Sequence, residues 1–374
     1  MVRAVGDESI RPEPLVFLDQ RRRLGQIPGC DGDVDDTLLI ANDVRAEALA
    51  CGFTLVGLAP AAPLPAEPLR EWLDAGYAAG LGAIRKRMEE RLDPARVVRG
   101  ARTVLVFGVP YGRGDDLVSP IARYARGRDY HYAHRDRMKA MRKRLLLLDP
   151  TIHTYACVDA GAAMEKAWGE RAGLGFIGKN GLLINRRHGS YFTLSLMILN
   201  RAVDVYDDPH PRLCGDCTRC LSACPTNAFP RPGVLDARRC LAYQTVENHD
   251  PIPAELRPQL AGRVFGCDVC QEACPWNERD LPPGDPRQDP RPIAQLTSAQ
   301  LAALSPSEFA ELAAGTPLIR AGYDGIRRNA CLALGAGNRQ EALPLLERLC
   351  EDASPAVMEA ARWAIEQLRR FSRP

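Results

Sequence analysis

The chain has 374 residues, a net charge of +2 and 46% hydrophobic residues. That length accommodates two or three domains with real cores. The near-even charge excludes a uniformly polybasic nucleic-acid binder, and no run reaches the roughly twenty apolar residues of a spanning helix.

Residues 1–36 are rich in Arg, Asp, Gly and Pro, and the first residues lack the basic-then-apolar order of a secretion signal. They predict a disordered leader, or an upstream extension from a misplaced start codon, on a cytoplasmic protein. A helix is expected from about Leu38 to Ala50, then a buried strand in GFTLVGLAP. Thr103–Val109 is apolar and β-branched and reads as a second strand. A basic helix follows across DYHYAHRDRMKAMRKRLLLL. The stretch Ile121–Arg144 holds nine Lys or Arg against Asp129 and Asp136, with Tyr124, Tyr130 and Tyr132 interleaved. Such a run is usually a solvated helix face, but basic groups among aromatics also suit an RNA loop. Ile152–Asp159 alternates like a strand, and GAAMEKAWGERAG reads as a helix starting near Gly161. GLGFIGKNGLLIN reads as a glycine-punctuated loop and YFTLSLMILN as a strand. Strands alternating with helices over residues 37–205 predict an α/β or α+β sandwich.

Residues 206–280 carry the strongest signal. CGDCTRCLSACP places Cys214, Cys217, Cys220 and Cys224 at bacterial ferredoxin spacing. GCDVCQEACP repeats its end with Cys267, Cys270 and Cys274, and Cys240 supplies an eighth thiolate. Two zinc sites would also use eight cysteines, but zinc explains neither the third Cys of the run nor the Pro after the fourth. Eight soft thiolates suit two [4Fe–4S] clusters, and in that arrangement the last Cys of each run crosses to the other cluster. The first cluster then takes Cys214, Cys217, Cys220 and Cys274. The second takes Cys224, Cys240, Cys267 and Cys270. The remaining cysteines, Cys30, Cys51, Cys157, Cys331 and Cys350, read mostly as small buried hydrophobes.

A Pro-rich linker is expected at Leu281–Pro292, opening a helical segment over 281–374. RRNACLALG and EAARWAI repeat there at an offset of 31 residues, aligning Ala330 with Ala361 and Leu334 with Ile365. Such a period suggests HEAT-like helical repeats docked on the main domain; an ordinary helical subdomain explains it equally well.

The order of these motifs resembles the epoxyqueuosine reductase family. The resemblance is carried by YARGRDYH at 124–131, VDAGAAMEKAWGERAGLGFIGKN at 158–180, GSYF at 189–192, the two Cys runs, LDARRCLAYQTVE at 235–247, CPWN at 274–277 and GIRRNACLALGAGN at 325–338. It covers roughly Leu38 to the end. It implies a cobalamin- and iron–sulfur-dependent enzyme acting on tRNA, which removes an epoxide oxygen in the last step of queuosine synthesis. Two clusters would pass single electrons from a low-potential donor to the corrin, in a monomer that needs no membrane. It further implies that Arg123, Tyr124, Lys179, Asn180, Ser190, Tyr191, Ala242, Cys267 and Asp268 line the cobalamin site, with Asp268 at the corrin edge. The glycines of 173–181 would let backbone approach the flat ring, since this run is neither a Walker loop nor a dinucleotide fingerprint. With no Asp-x-His-x-x-Gly run, no lower-ligand histidine is expected.

Asp159 reads two ways. From its neighbours alone it is a helix cap. The resemblance implies a proton donor to the departing oxygen, and an acid in that role needs a dry, apolar setting to raise its pKa. Arg327, Arg328, Arg369 and Arg370 would offer a second phosphate-binding surface. The family commonly has Ser at Ala242, and Gly161, Ala162 and Ala163 predict a loose turn after the aspartate. Two other functions compete with this one. A small-molecule reductase of the reductive dehalogenase kind would share corrin and clusters. A ferredoxin-type electron carrier would leave Asp159 inert.

Overall fold

The segment Thr103–Pro110 is buried at every position, which is why it reads as an unbroken apolar run. It is the second strand of the N-terminal lobe in the computed structural model, which describes residues 38–112, 118–159, 161–286 and 290–371. The expected leader over 1–36 and Cys30 lie outside the described residues. In chain order the lobe contains α1 (Ala41–Ala50), β1 (Leu55–Pro60), α2 (Glu67–Asp74), α3 (Ala83–Lys86), α4 (Met88–Leu92), β2 (Thr103–Pro110), α5 (Tyr130–Leu148), β3 (Thr154–Cys157), α6 (Glu165–Arg171), β4 (Phe176–Ile177), β5 (Leu183–Ile184) and β6 (Phe192–Leu199).

Four strands form one sheet in the order β1-β2-β6-β3, and every pairing is antiparallel. The lobe is therefore α+β, not a parallel α/β sheet. Alternate residues of the central strands serve two cores, as the two-residue period of a strand demands. Leu105, Phe107, Val109, Met197 and Leu199 pack with α1 and α5. Val104, Val106, Leu196 and Ile198 pack with Trp168 of α6.

Three local expectations change. Helix α1 starts at Ala41 because Leu39 pairs with Val203 and Asp204 accepts the Ala41 N–H at 2.7 Å. The loop over 173–185 contains a small hairpin, with Phe176 opposite Ile184 and Ile177 opposite Leu183. Gly175 serves that hairpin: a Cβ there would lie 2.2 Å from the Ile184 carbonyl oxygen. The turn after Asp159 is tightly packed, not loose. Ala162 and Ala163 are buried, and the Ala162 N–H donates to the Tyr155 hydroxyl at 2.8 Å.

The second lobe holds α7 (Arg219–Ala223), α8 (Leu241–Val246), α9 (Val269–Glu272), α10 (Ser298–Ala303), α11 (Pro306–Ala313), α12 (Gly322–Ala336), α13 (Leu343–Leu349) and α14 (Pro355–Phe371). One core joins Leu241, Ile252, Leu260 and Phe265 to the C-terminal helices, so the cysteine-bearing segment and the helical segment pack as one layer. The two segments aligned by the 31-residue offset lie in α12 and α14, which pack so closely that a Cβ on Gly335 would meet Ala364 Cα at 2.6 Å. Arg327 and Arg328 are buried, not a phosphate-binding surface. Arg327 pairs with Asp352, and Arg328 donates to the carbonyls of Asp250 (2.7 Å) and Asn248 (2.9 Å). An irregular loop leaves these carbonyls unsatisfied, and a fixed guanidinium fork completes them. Burial lowers the Arg328 pKa to about 10. Arg369 and Arg370 remain exposed.

The described part of the Pro-rich segment at 281–292 is pinned rather than free. Gly284 packs against Tyr111, and the Asp285 N–H donates to the Pro110 carbonyl at 2.8 Å. Asp285 also forms a buried ion pair with Arg137, whose side chains are 8% and 3% exposed. Removing one partner leaves the other charge uncompensated. Arg137→Ala is therefore expected to cost about 3–5 kcal/mol, read as a lower midpoint in denaturant unfolding. A change within 1 kcal/mol would contradict that account.

Candidate active site

The eight motif cysteines fall into two groups. Cys214, Cys217, Cys220 and Cys274 line one cavity of ≈ 260 Å³, together with Lys179, Asn180, Trp276 and Arg279. The hairpin forms its floor, with Phe176 and Ile184 packed against Cys274. In the other group Cys270 interacts with Cys267, Cys240 and Cys224. Burial pushes the Cys270 thiol well up, and the neighbouring sulfurs push it further. Metal charge is what allows such thiols to ionise together. Among the described residues no three His, Cys, Asp or Glu side chains converge on a single ion. Thiolates around a four-iron cube stand further apart than those around one zinc, so the two quartets suit clusters. Cys51, Cys157 and Cys331 are buried outside both groups, and Cys350 is half-buried.

A hydrogen-bonded network fixes the second Cys run to the strand sheet. Ser190 donates its hydroxyl to Gln271 Oε1 at 2.9 Å, and Asn277 Nδ2 donates to Ser190 Oγ at 2.9 Å. Asn277 Oδ1 accepts the Ser190 N–H at 2.8 Å. Gln271 Nε2 in turn donates to Asp268 Oδ1 at 2.9 Å. Asp268 is buried and accepts the Arg123 backbone N–H at 2.8 Å, while the Arg123 side chain pairs with Glu272 and lies over the Tyr191 ring. Burial raises the Asp268 pKa. Ser190, Tyr191, Arg123 and Asp268 thus form one brace. Gln271 and Asn277 complete it, and nothing in their sequence context marks them, because their partners lie far along the chain. Lys179 sits at the first quartet and donates to the Gly215 carbonyl at 2.7 Å; Asn180 reaches the Cys270 carbonyl at 3.3 Å. Ala242 is half-buried on α8, two residues after Cys240.

Asp159 does not cap a helix: α6 begins at Glu165 with Met164 before it. Its φ is +50°, a left-handed conformation that costs energy at a non-glycine residue and gathers at functional sites. The side chain is 47% exposed, so the protein alone does not enclose it in the dry setting expected. Val158 is buried, and Ala160 lies outside the described residues. The Tyr130 hydroxyl donates to Asp159 Oδ2, and His131 Nε2 lies 3.6 Å from the same oxygen. Asp129, which caps α5, holds His131 by its Nδ1 at 2.7 Å. Burial, then the Asp159 charge, pushes the Tyr130 hydroxyl well above its ordinary range, so it stays a donor. His134 is committed to the core: its nitrogens meet Ser195 Oγ (2.7 Å) and Thr193 Oγ1 (2.8 Å), and burial lowers its pKa to about 3.

Around Asp159 stand Tyr124, Tyr130, Glu165, Lys166 and Arg320, each of which feels its charge. Lys166 also feels Cys270 and Cys240. The Lys166 side chain is exposed, and the surrounding protein lowers its pKa. It thus neighbours both the left-handed aspartate and the second cysteine group. Arg320, tied to Glu247 at 2.8 Å, comes to Asp159 from the C-terminal helices. Neither Arg320 nor Glu165 carries a sequence signal for this position.

Residues 213–277 match the family described as a 4Fe-4S double cluster binding domain, and residues 91–160 match the family described as Epoxyqueuosine reductase QueG, DUF1730. An epoxyqueuosine reductase from Pseudomonas aeruginosa is 38% identical over 348 residues, covering 89% of this chain and 95% of that protein. A crystal structure of epoxyqueuosine reductase with an epoxyqueuosine-modified tRNA-Tyr stem loop superposes with a TM-score of 0.81 at 30% identity, over 87% of this chain and 89% of that one. The Bacillus subtilis enzyme, with its aspartate-bearing catalytic loop swung out of the active site, gives 0.80 at 30% identity, over 87% and 90%. With the paired cysteine groups beside a loop-borne aspartate, these similarities place the chain in the epoxyqueuosine reductase family.

Proposed function

We propose that this protein reduces epoxyqueuosine to queuosine in tRNA, with two [4Fe–4S] clusters and cobalamin as its cofactors. The observation that carries the reading is that Asp159 and the second cysteine group meet at one neighbour, Lys166. The first cluster is held by Cys214, Cys217, Cys220 and Cys274, and the second by Cys224, Cys240, Cys267 and Cys270. Exposed Arg279 borders the first group, so a low-potential one-electron donor meets the protein, a monomer, on that side. Acting on tRNA, the protein works in the cytoplasm. Among the described residues no helix is long and apolar enough to cross a membrane. The helices α12 to α14 serve as HEAT-like repeats that buttress the second cluster.

The residues around Asp159 fit a corrin. Half-buried Tyr124 and buried Tyr130 set aromatic rings with polar tips beside it, as suits an amide-fringed macrocycle. Cobalamin, when bound, supplies a low-valent cobalt whose reducing power no side chain matches. Tyr124 and Lys166 line the corrin, the Arg123–Asp268 brace holds the second cluster loop beside it, and Asp159 donates a proton to the departing oxygen. Tyr130 and His131 hold the Asp159 carboxyl in place.

Helix α5 begins at that carboxyl and exposes Lys139 and Lys143 further along. These lysines contact the phosphates of an anticodon arm whose modified base is flipped out of its stack toward Asp159. Arg137 on the same helix is buried in an ion pair with Asp285. Changing both Lys139 and Lys143 to Ala is expected to weaken tRNA binding and to flatten its dependence on log salt by roughly 0.7 to 0.9 per lost contact. An unchanged salt slope would remove this face from the binding surface.

The reaction itself is tested by anaerobic turnover. Protein reconstituted with iron, sulfide and cobalamin receives a low-potential reductant and tRNA bearing epoxyqueuosine. Loss of one oxygen from the nucleoside, dependent on cobalamin, supports the reading. No loss with all cofactors bound would overturn it.

A further inference from the structure

Electrons have to enter the protein from outside, and the first cysteine group lies where the surface opens. Gly215, Asp216, Thr218 and Arg219 are exposed among its cysteines, and Cys214 and Cys217 are themselves half-buried. Among the described residues its cavity is lined by two cations, Lys179 and Arg279, and by no carboxylate. Much of the remaining lining is apolar, with Leu213, Pro275 and Trp276 half-buried at the opening.

Arg279 is exposed but not loose. Its guanidinium lies 4.2 Å from the centre of the Trp276 ring, and that ring stands edge-on to Phe176 at 5.6 Å. A guanidinium stacked on an indole keeps its charge toward water and loses little freedom when a partner binds. Arg and Trp are also the side chains that most often anchor protein interfaces. Two further cations, Arg186 and Arg187, are exposed on the adjoining turn between β5 and β6. Paired backbone bonds between Asn185 and Gly189, at 2.8 and 3.0 Å, close that turn. Its Gly189 packs on the Trp276 segment, where a Cβ would lie 3.1 Å from the Trp276 carbonyl oxygen. The carboxylates of this side are partly neutralised: Glu278 pairs with Arg219, and Glu170 pairs with Arg212 at 3.4 Å. Asp216 and Asp280 remain exposed. The first group is thus rimmed by cations on fixed supports around an apolar centre.

Resting on the clusters proposed above, we infer that this face docks an acidic one-electron protein. Carboxylates of that donor meet Arg186, Arg187 and Arg279, and its redox group comes to rest over Trp276. In the transfer the donor loses one electron and the first cluster gains one; no bond forms or breaks and no proton moves. Electron-transfer encounters are small and brief, so complementary charge sets their rate more than buried area does.

The test uses the full chain carrying both clusters and cobalamin. It is mixed rapidly with a reduced acidic ferredoxin and, separately, with reduced methyl viologen, a small cation, and bleaching of the iron–sulfur absorbance is followed. The ferredoxin rate of the parent is expected to fall about tenfold from low salt to roughly 0.3 M salt, as screening removes the steering. Changing both Arg186 and Arg187 to Glu is expected to slow that reaction about tenfold at low salt and to flatten its salt dependence. Iron content stays at the parent level, and viologen bleaches the variant no more slowly, since a cation is not repelled by the change. Arg279→Glu is expected to shift both donors in the same directions. A ferredoxin rate of the double variant within twofold of the parent, a parent rate that ignores salt, or equal slowing with viologen would overturn the inference. So would a parent that viologen bleaches but neither the ferredoxin nor a reduced acidic flavodoxin does. If Arg279→Glu loses iron, the double variant decides alone, because its residues lie outside the cluster cavity. No tRNA is present, so a salt-steered ferredoxin reaction stands even where deoxygenation fails, and the two failures are distinguishable.

Discussion

Asp159→Asn lowers turnover by about 10²–10⁴-fold while both clusters and the cobalamin site stay in place. The reason is chemical rather than architectural. Asparagine keeps the size of the side chain and an acceptor for the Tyr130 hydroxyl, so the bond that aims it survives. It has no proton to give. At 1.36 kcal/mol per factor of ten, the loss corresponds to about 3–5 kcal/mol of transition-state stabilisation. Because the side chain is half exposed and makes no buried ion pair, the unfolding midpoint should barely move. The measurement is single-turnover deoxygenation at matched cofactor content. Turnover within threefold of the parent would remove Asp159 as the acid. A loss traced entirely to missing iron or cobalamin would make it a structural residue instead.

Cys224→Ala abolishes turnover by a different route. Its sulfur sits after α7, where it accepts the Ala228 N–H at 3.3 Å, and it belongs with Cys240, Cys267 and Cys270. Three thiolates hold a four-iron cube poorly, so the second cluster should be lost and the protein should retain about half its iron. The first group lines its own cavity and does not include Cys224. Electrons then enter at the first cluster and go no further. Iron analysis with electron paramagnetic resonance of the reduced protein checks this. Iron missing from the cluster of Cys214, Cys217, Cys220 and Cys274 would reverse the crossed ligand assignment.

The two variants separate proton supply from electron supply. Asp159→Asn should leave a protein that reduces fully and converts nothing. Cys224→Ala should leave one that reduces only in part. Both features meet at Lys166, which feels Asp159 on one side and Cys240 and Cys270 on the other.

Much of this was legible in the chain itself. Cluster ligation depends on short spacing, so Cys214, Cys217, Cys220 and Cys224 announce their chemistry without reference to the fold. Strands β2 and β6 follow from runs of buried apolar residues, and α5 from the pattern of its basic and apolar positions. What the sequence could not tell apart was the use of identical side chains. Arg137 and Lys139 look alike in the basic stretch, yet Arg137 is buried against Asp285, 148 residues away, and Lys139 is exposed. Arg327 and Arg328 resemble a phosphate-binding pair, but tertiary packing spends them on Asp352 and on the carbonyls after α8. Asp159 looked like a helix cap until the turn at Ala162 delayed α6 to Glu165. A charge is defined by its partners and its access to water, and both are set by segments distant in the chain. Local spacing therefore determined which metals and elements this protein holds, while tertiary packing alone decided which charged groups are buried and which face solvent.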